Sequence, residues 1–567
     1  MDTMTQRWLS RRSFIASTAL LTSSALMMAC GGSSEESLSP SDSNVSSPVA
    51  SAEGSSASPT VVDSGPVGTS KDTITFPIIA NPGTLNPIKV ASTAEVQVAR
   101  VIHTSLVRLD PFNFEPQPDL AVSWEVSEDG LTWTFNLRDD VKFHDGTAFT
   151  AEDVKFTMDR MLDPEINSAR GRQFLLIEET EVVDPYTVTF RLQSPWSALP
   201  TILAGRWAAA PKHLLEDVDI ATDTTYDKEP VGVGPYKVVE WVPADHITLQ
   251  ANVDFYRGEP KIKTLIFKVI PDSNVQIAQL RTGEIDAIPF FADASLPAVK
   301  GHPDIEVDQG WGSVWYAVHL NMNRTDLFGD VKVRQALSYA IDREGLIANL
   351  LGGSGTVATG PIIPQIEWAY NGNVRTYPYD PEKAKALLRE AGWTEQSGGW
   401  TKDGTTLSLT LSAFTGNATV EQAATLIQQY WTDIGVNTEI EVLEFSTFIT
   451  EVRDNRGPDG YYTFVSYMTP EPEPDGIYAY FHSSNAERGS NFTAYKNPEV
   501  DALLEMGREE TNREKRREAY AKVQEILAED QTRIFLFYPP TNLVRRKTLK
   551  GLPPVDSYAY IEQAYFE

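Results

Sequence analysis

The chain has 567 residues, with 48 Lys and Arg against 78 Asp and Glu and a formal net charge of −30. That length exceeds a single hydrophobic core and implies several domains. The charge excludes a DNA or RNA backbone binder, which needs clustered cations. A single cysteine excludes a disulfide framework and any multi-thiolate zinc or iron–sulfur site. The histidines (His103, His144, His213, His246, His302, His319, His482) show no metal-ligand spacing, so neither a metal nor another cofactor is expected.

The first residues read as an address. Arg7, Arg11 and Arg12 precede an uncharged run over residues 14–29. That run is short for a membrane span of about 20 residues. A basic head before a short apolar run is an export signal, assigned here to 1–29. Ser10-Arg11-Arg12-Ser13-Phe14-Ile15 looks like a twin-arginine signal, with Ala16 at the usual lysine place. Ala25-Leu26-Met27-Met28-Ala29-Cys30 resembles a bacterial lipobox, which implies that Cys30 is lipidated and holds the protein to a membrane. Fourteen of residues 31–70 are Ser, and none is aromatic, Lys or Arg. Residues 30–71 are therefore expected to be a lipidated cysteine and a disordered tether. The expected location is extracytoplasmic and membrane-anchored, at a cell surface or in a periplasmic space.

From Asp72 to Glu567 the texture is globular. A strand is predicted over 73–79, ending in the turn-rich loop Ala80-Asn81-Pro82-Gly83-Thr84-Leu85-Asn86-Pro87, with a helix over 94–106. Leu131, Trp133, Phe135 and Leu137 alternate with Thr132, Thr134, Asn136 and Arg138, a strand with one buried face. Glu128-Asp129-Gly130 and Asp145-Gly146 are turn signals. Thr150 before Glu152 and Asp153 is a helix start. Helices are predicted over 330–342, 344–351, 381–391 and 420–434, and Val436, Ile440 and Val442 alternate as a strand. Gly352-Gly353-Ser354-Gly355-Thr356 lacks the lysine of a phosphate loop and reads as a flexible turn. Alternating helices and strands argue an α/β fold.

Several longer motifs run in one order. They are residues 119–160, Gly232-Val-Gly234-Pro235-Tyr236, Tyr256-Arg-Gly258-Glu-Pro260, Gly283-Glu284-Ile285-Asp286, Val333-Arg334 to Asp342-Arg343, Tyr379-Asp-Pro381 to Gly392-Trp393, and Tyr495-Lys-Asn497-Pro498. On these the chain is similar to the family 5 solute-binding proteins of ABC importers, the dipeptide-, oligopeptide- and nickel-binding group. The resemblance implies an α/β, two-lobed periplasmic-binding-protein-like fold (type II, cluster C) with an extra β-rich subdomain. Lobe one would span 72–310, including the subdomain at 108–230. Lobe two would span 311–534, and 535–567 would return to lobe one. Hinges would lie near 310–313 and 534–537. The implied function is capture of a peptide-like solute by hinge closure and delivery to the permease transmembrane subunits, by a monomer that is not an enzyme.

Glu471, Glu473 and Asp475 alternate with prolines in an extended loop. Taken alone, such acids suit a glycosidase pair, Ca²⁺ ligands or a solvated loop. In peptide-binding relatives, a loop at this place carries an aromatic and, three residues on, an Asp for the peptide's α-amine. Tyr467 takes the aromatic place but Pro470 the acid's, so Glu471 or Glu473 would have to serve. Trp311, Trp315 and Tyr316 near the crossover, and Trp368, are aromatic platforms. Asn81 and Thr84 are lobe-one candidates at a strand's carboxyl end. A peptide is the favoured solute and an oligosaccharide the alternative. A nickel chelate, with His482 near the acidic loop, or a hydrolase is less favoured.

Overall fold

Strand Thr73–Ile78 carries Ile74, Phe76 and Ile78 inward. In the computed structural model, which describes residues 71–567, it pairs in parallel with Thr264–Val269. The export signal with Arg11 and Arg12, Cys30 and the tether through Ser70 lie outside the described residues. His246–Ala251 and Tyr236–Val242 complete this four-stranded sheet. Phe76 stacks on Phe267 at 5.6 Å and meets Tyr558 edge-on at 5.3 Å, so the C-terminal segment closes the lobe-one core. A second sheet places Thr541–Arg546 between Ala287–Phe291 and Ile305–Gly310.

The β-rich subdomain is a four-stranded antiparallel sheet. Its order is Ala121–Val126, Thr132–Leu137, Thr187–Leu192, Ile177–Asp184. Trp133, Phe135 and Leu137 are buried and the residues between them are not, as the period-two pattern requires. Helix Ala151–Leu162 covers the sheet, and the Thr150 amide donates to Asp153 Oδ2 at 2.9 Å at its start. The core of this unit runs from Leu106 to Val233, with Ile88 added.

The helix predicted over 94–106 is Thr93–Ile102. It stops early because its end is taken by the Gly232–Tyr236 turn. Gly234 N donates to Ile102 O at 2.7 Å, and His103 bonds Leu85 O through Nε2 at 3.1 Å. His144 accepts from Gly232 N at Nδ1 (3.2 Å) and bonds Gly234 O through Nε2 (3.0 Å), so it is neutral, with the proton on Nε2. Burial pushes the pKa of His103 down to about 3 and that of His144 to about 4. Both lie below the unfolded value of about 6.5. The unfolded chain therefore takes up protons first as pH falls. Stability should hold above about pH 6.5 and drop towards pH 4, by about 1.4 kcal/mol per pH unit for each ring. Denaturant midpoints at pH 7.5 and 5 check this. The drop should shrink in His144→Gln, and an unchanged drop there would contradict the assignment.

Lobe two is a six-stranded mixed sheet. Its order is Thr356–Val357, Arg533–Tyr538, Trp315–Leu320, Thr463–Met468, Ser408–Phe414, Asn437–Leu443. Asp330, Asp342, Asp380, Asn417, Asn497 and Asn512 each accept amide protons at a helix start. The helix predicted over 330–342 ends at Tyr339, because Asp342 caps a new helix, Arg343–Leu350. Val442 is exposed although it shares a face with buried Thr438 and half-buried Ile440, because that face is uncovered toward the end of the strand. The chain passes between lobes at 311–314 and again at Pro539–Pro540. The second crossing falls later than the expected 534–537, which lies inside a strand. Two prolines supply no amide to either sheet and so mark the break. No helix among the described residues is long and apolar enough to cross a membrane.

Candidate solute cleft

Strand register builds the lobe-two wall. Tyr316 pairs with Tyr467 on one side and Phe537 on the other. Their rings form a ladder, with Tyr467 5.5 Å and Phe537 4.8 Å from Tyr316. Phe537 and Tyr316 are buried and Tyr467 is partly exposed, so the ladder presents Tyr467. It lies at the carboxyl ends of the strands Thr463–Met468 and Arg533–Tyr538, beside the lobe crossing, where α/β sheets place ligands. Burial first, then the charges of Tyr467 and Asp293, push the Tyr316 phenol up to about 12, while Asn417 and Thr419 pull it down.

Three carboxylates follow the ladder on the loop after Met468, and each meets an arginine. Glu471 accepts from Arg206 Nε at 2.6 Å, and Arg206 ends the subdomain helix Leu199–Arg206. This pair spans the two lobes. Glu473 is buried against Arg516 in an ion pair within lobe two. Asp475 is held by Arg508 (2.8 and 3.1 Å) and accepts from the indole of Trp196 across the lobes (3.1 Å). Only Glu471 stands opposite lobe-one cations, so the loop's three acids are not equivalent. Beside Arg206 lie Arg170 and Arg100, around a small cavity of about 30 Å³ shared with His103, Gly205 and Trp207. Arg100 is paired with Asp556 at 2.9 Å. Arg170 is buried, and among the described residues its guanidinium has no ion-paired carboxylate and a single hydrogen bond, a long one to Arg206 O at 3.5 Å. Burial, together with Arg100 and Arg206, pushes its pKa down to about 10. A buried cation without a counter-ion favours a neighbouring anion strongly.

The other expected site residues lie elsewhere. Trp315 is fully enclosed in the lobe-two core, edge-on to Phe535 (5.1 Å) and Tyr480 (6.0 Å), so it backs the wall rather than forming it. Trp311 is half-buried at the first crossing. Trp368 sits under Arg513 and Arg516, 4.8 and 5.0 Å from its ring centre, against the β-rich subdomain. Asn81 accepts from Ala244 N (3.0 Å) and Trp241 (3.4 Å) and ties its loop to a hairpin. Thr84 is buried and donates to Asp227 at 2.8 Å. The hydrogen bonds of both side chains are made within lobe one. His482 is stacked on Tyr478 at 4.2 Å, with its ring nitrogens on Ser484 and Glu505. No group of three metal-ligating side chains stands together among the described residues. Arg206, Arg170 and Arg508 have no signal in the sequence, because Arg206 and Glu471 lie 265 residues apart.

Two α/β lobes joined by two crossings, with facing charges and an aromatic wall between them, define a solute receptor. The chain belongs to the bacterial extracellular solute-binding proteins, family 5, whose middle-region model matches residues 115–488. It is 30% identical over 488 residues to the oligopeptide-binding protein AppA of Bacillus subtilis, covering 83% of this chain and 87% of that one. The Escherichia coli dipeptide-binding protein is 28% identical over 492 residues, covering 83% of this chain and 90% of that one. Among solved structures, NikZ of Campylobacter jejuni in complex with Ni(L-His) matches with a TM-score of 0.72 and 30% identity, covering 87% of this chain and 99% of that one.

Proposed function

We propose that this protein captures a short peptide between its lobes and delivers it to the membrane subunits of an ABC importer. The relatives named for oligopeptides and dipeptides support the solute class. The Arg206–Glu471 pair between the lobes carries the reading. It presents one carboxylate and one guanidinium, the complements of a peptide's ammonium and carboxylate ends. A zwitterionic peptide replaces one internal pair by two ligand pairs, with Arg170 as a second cation for the carboxylate. Tyr467 offers an aromatic face to a side chain. Closure about 311–314 and Pro539–Pro540 brings the walls together. Each carboxylate of the acidic loop is engaged by an arginine, which supports binding rather than hydrolysis.

Mass spectrometry of what the mildly denatured protein releases, followed by calorimetry with the peptides found, tests this. Glu471→Gln and Arg206→Gln are each expected to weaken peptide binding by about 30-fold or more, with melting temperature nearly unchanged. Unchanged affinity in both variants, or release of a glycan alone, would refute the peptide reading.

Arg11 and Arg12 are proposed to route the chain for export, and Cys30 to carry the acyl chains of a lipoprotein. Cys30→Ser should then move the protein from the membrane fraction to the soluble one.

A further inference from the structure

A second set of cross-lobe contacts shares no partner with Arg206 and Glu471. It centres on the tip of the hairpin formed by Val107–Leu109 and Pro116–Pro118. Asp110 fixes this tip. Its carboxylate accepts from Phe112 N (2.9 Å) and Asn113 N (3.2 Å), its carbonyl accepts from Phe114 N (3.0 Å), and its amide donates to Glu115 O (2.9 Å). Asn113 Oδ1 accepts from Glu115 N at 3.0 Å. The result is a preformed tip that holds Phe114 at φ +60°. A bulky residue in the left-handed region is strained, by about 1–2 kcal/mol.

The Phe114 ring lies at the junction, beside a cavity lined by Trp124 and Trp133 of its own subdomain and by Trp368. Phe114 is 6% exposed and belongs to the hydrophobic cluster of lobe two. Its neighbour Glu115 forms an ion pair with Arg513, whose guanidinium lies over Trp368. A second line of contacts lies at the start of helix Leu199–Arg206. Ser197 N donates to Arg508 O at 2.9 Å, Ser197 Oγ donates to Glu510 O at 2.6 Å, and Trp196 reaches Asp475. All of these groups belong to the subdomain on one side and to residues 366–516 on the other. None lies in a crossing segment.

A strained backbone whose ring enters the opposite lobe's core is the mark of a docking element rather than of a fold-forming turn. We infer that the 110–115 tip is a strap that docks on lobe two when the lobes close, with Phe114 as its plug and Glu115–Arg513 as its guide. The strap stabilises the closed arrangement whether or not solute is bound. It therefore sets the closed fraction of the empty receptor, and through it the apparent affinity for every solute alike.

The test uses the full chain with Cys30→Ser, labelled at Val183→Cys in the subdomain and Val442→Cys in lobe two, both exposed. Single-molecule energy transfer is read without solute. The parent should show a closed population, and Phe114→Ala should lower its closed-to-open ratio about tenfold. Glu115→Arg should lower that ratio about threefold, and Arg513→Glu added to it should restore it. The charge swap decides the matter if Phe114→Ala does not fold. An empty parent without a closed population would overturn the proposal. So would a folded Phe114→Ala with an unchanged ratio, or a charge swap without restoration. Failure of Glu471→Gln to weaken peptide binding would leave this result untouched, since no peptide is added.

Discussion

Gly232→Ala is expected to cost about 4 kcal/mol or more, a large fraction of the stability of a typical domain. A methyl group there would lie 2.0 Å from Ile102 O and 2.8 Å from His103 Nδ1, and the carbonyl is backbone that cannot turn away. Both polar atoms of Gly232 are in use, its amide on His144 and its carbonyl on the His144 amide (2.8 Å). The glycine therefore cannot shift without undoing the join between the helix Thr93–Ile102 and the subdomain. Gly146→Ala is the control. Its φ is +92° but nothing lies within 4 Å, so only strain of about 1 kcal/mol applies. Denaturant unfolding of both variants checks the contrast. Equal costs would mean that the chain shifts to accommodate the methyl group and that close approach does not select glycine at 232.

Arg516→Ala should cost about 3–5 kcal/mol, because it leaves Glu473 buried without its partner. Both side chains of the pair are 8% exposed. Burial pushes the Glu473 carboxyl up, while Arg516 beside it pulls it down. Arg516 also donates to Gly507 O at 2.8 Å, so the helices Pro498–Glu509 and Arg513–Asp530 lose a tie as well. Replacing both partners, with Glu473→Leu and Arg516→Met, should recover most of the loss. A denaturation cycle over the singles and the double measures this. If Arg516→Ala kept its stability and instead lost peptide affinity, Glu473 rather than Glu471 would be the solute's carboxylate.

The acidic loop shows how far residue patterns reach. Glu471, Glu473 and Asp475 are conspicuous in the chain, but their spacing leaves open which of Glu471 and Glu473 meets an ammonium group. In the fold their alternation with prolines sends them to three different arginines. The partners stand 33 to 265 residues away, so nothing near the loop announces them. The same holds for aromatics. Tyr316 and Trp315 are neighbours in sequence, yet strand pleating turns Tyr316 into the cleft ladder and Trp315 into the core. Strap residue Phe114 carried no signal, because its burial in the other lobe arises only when the lobes meet.

What the sequence determined was local. Period-two alternation made the strand Thr132–Leu137, Asp and Asn caps started the helices, and close-packed glycines joined the elements in family order. Each follows from backbone sterics and hydrogen bonding over a few residues. The tertiary structure alone decided which carboxylate meets an arginine of the opposite lobe, which guanidinium lacks a carboxylate partner among the described residues, and which loop bridges the lobes. Those properties depend on charges and surfaces brought together from distant segments, and a pairing across 265 residues is written in no local pattern.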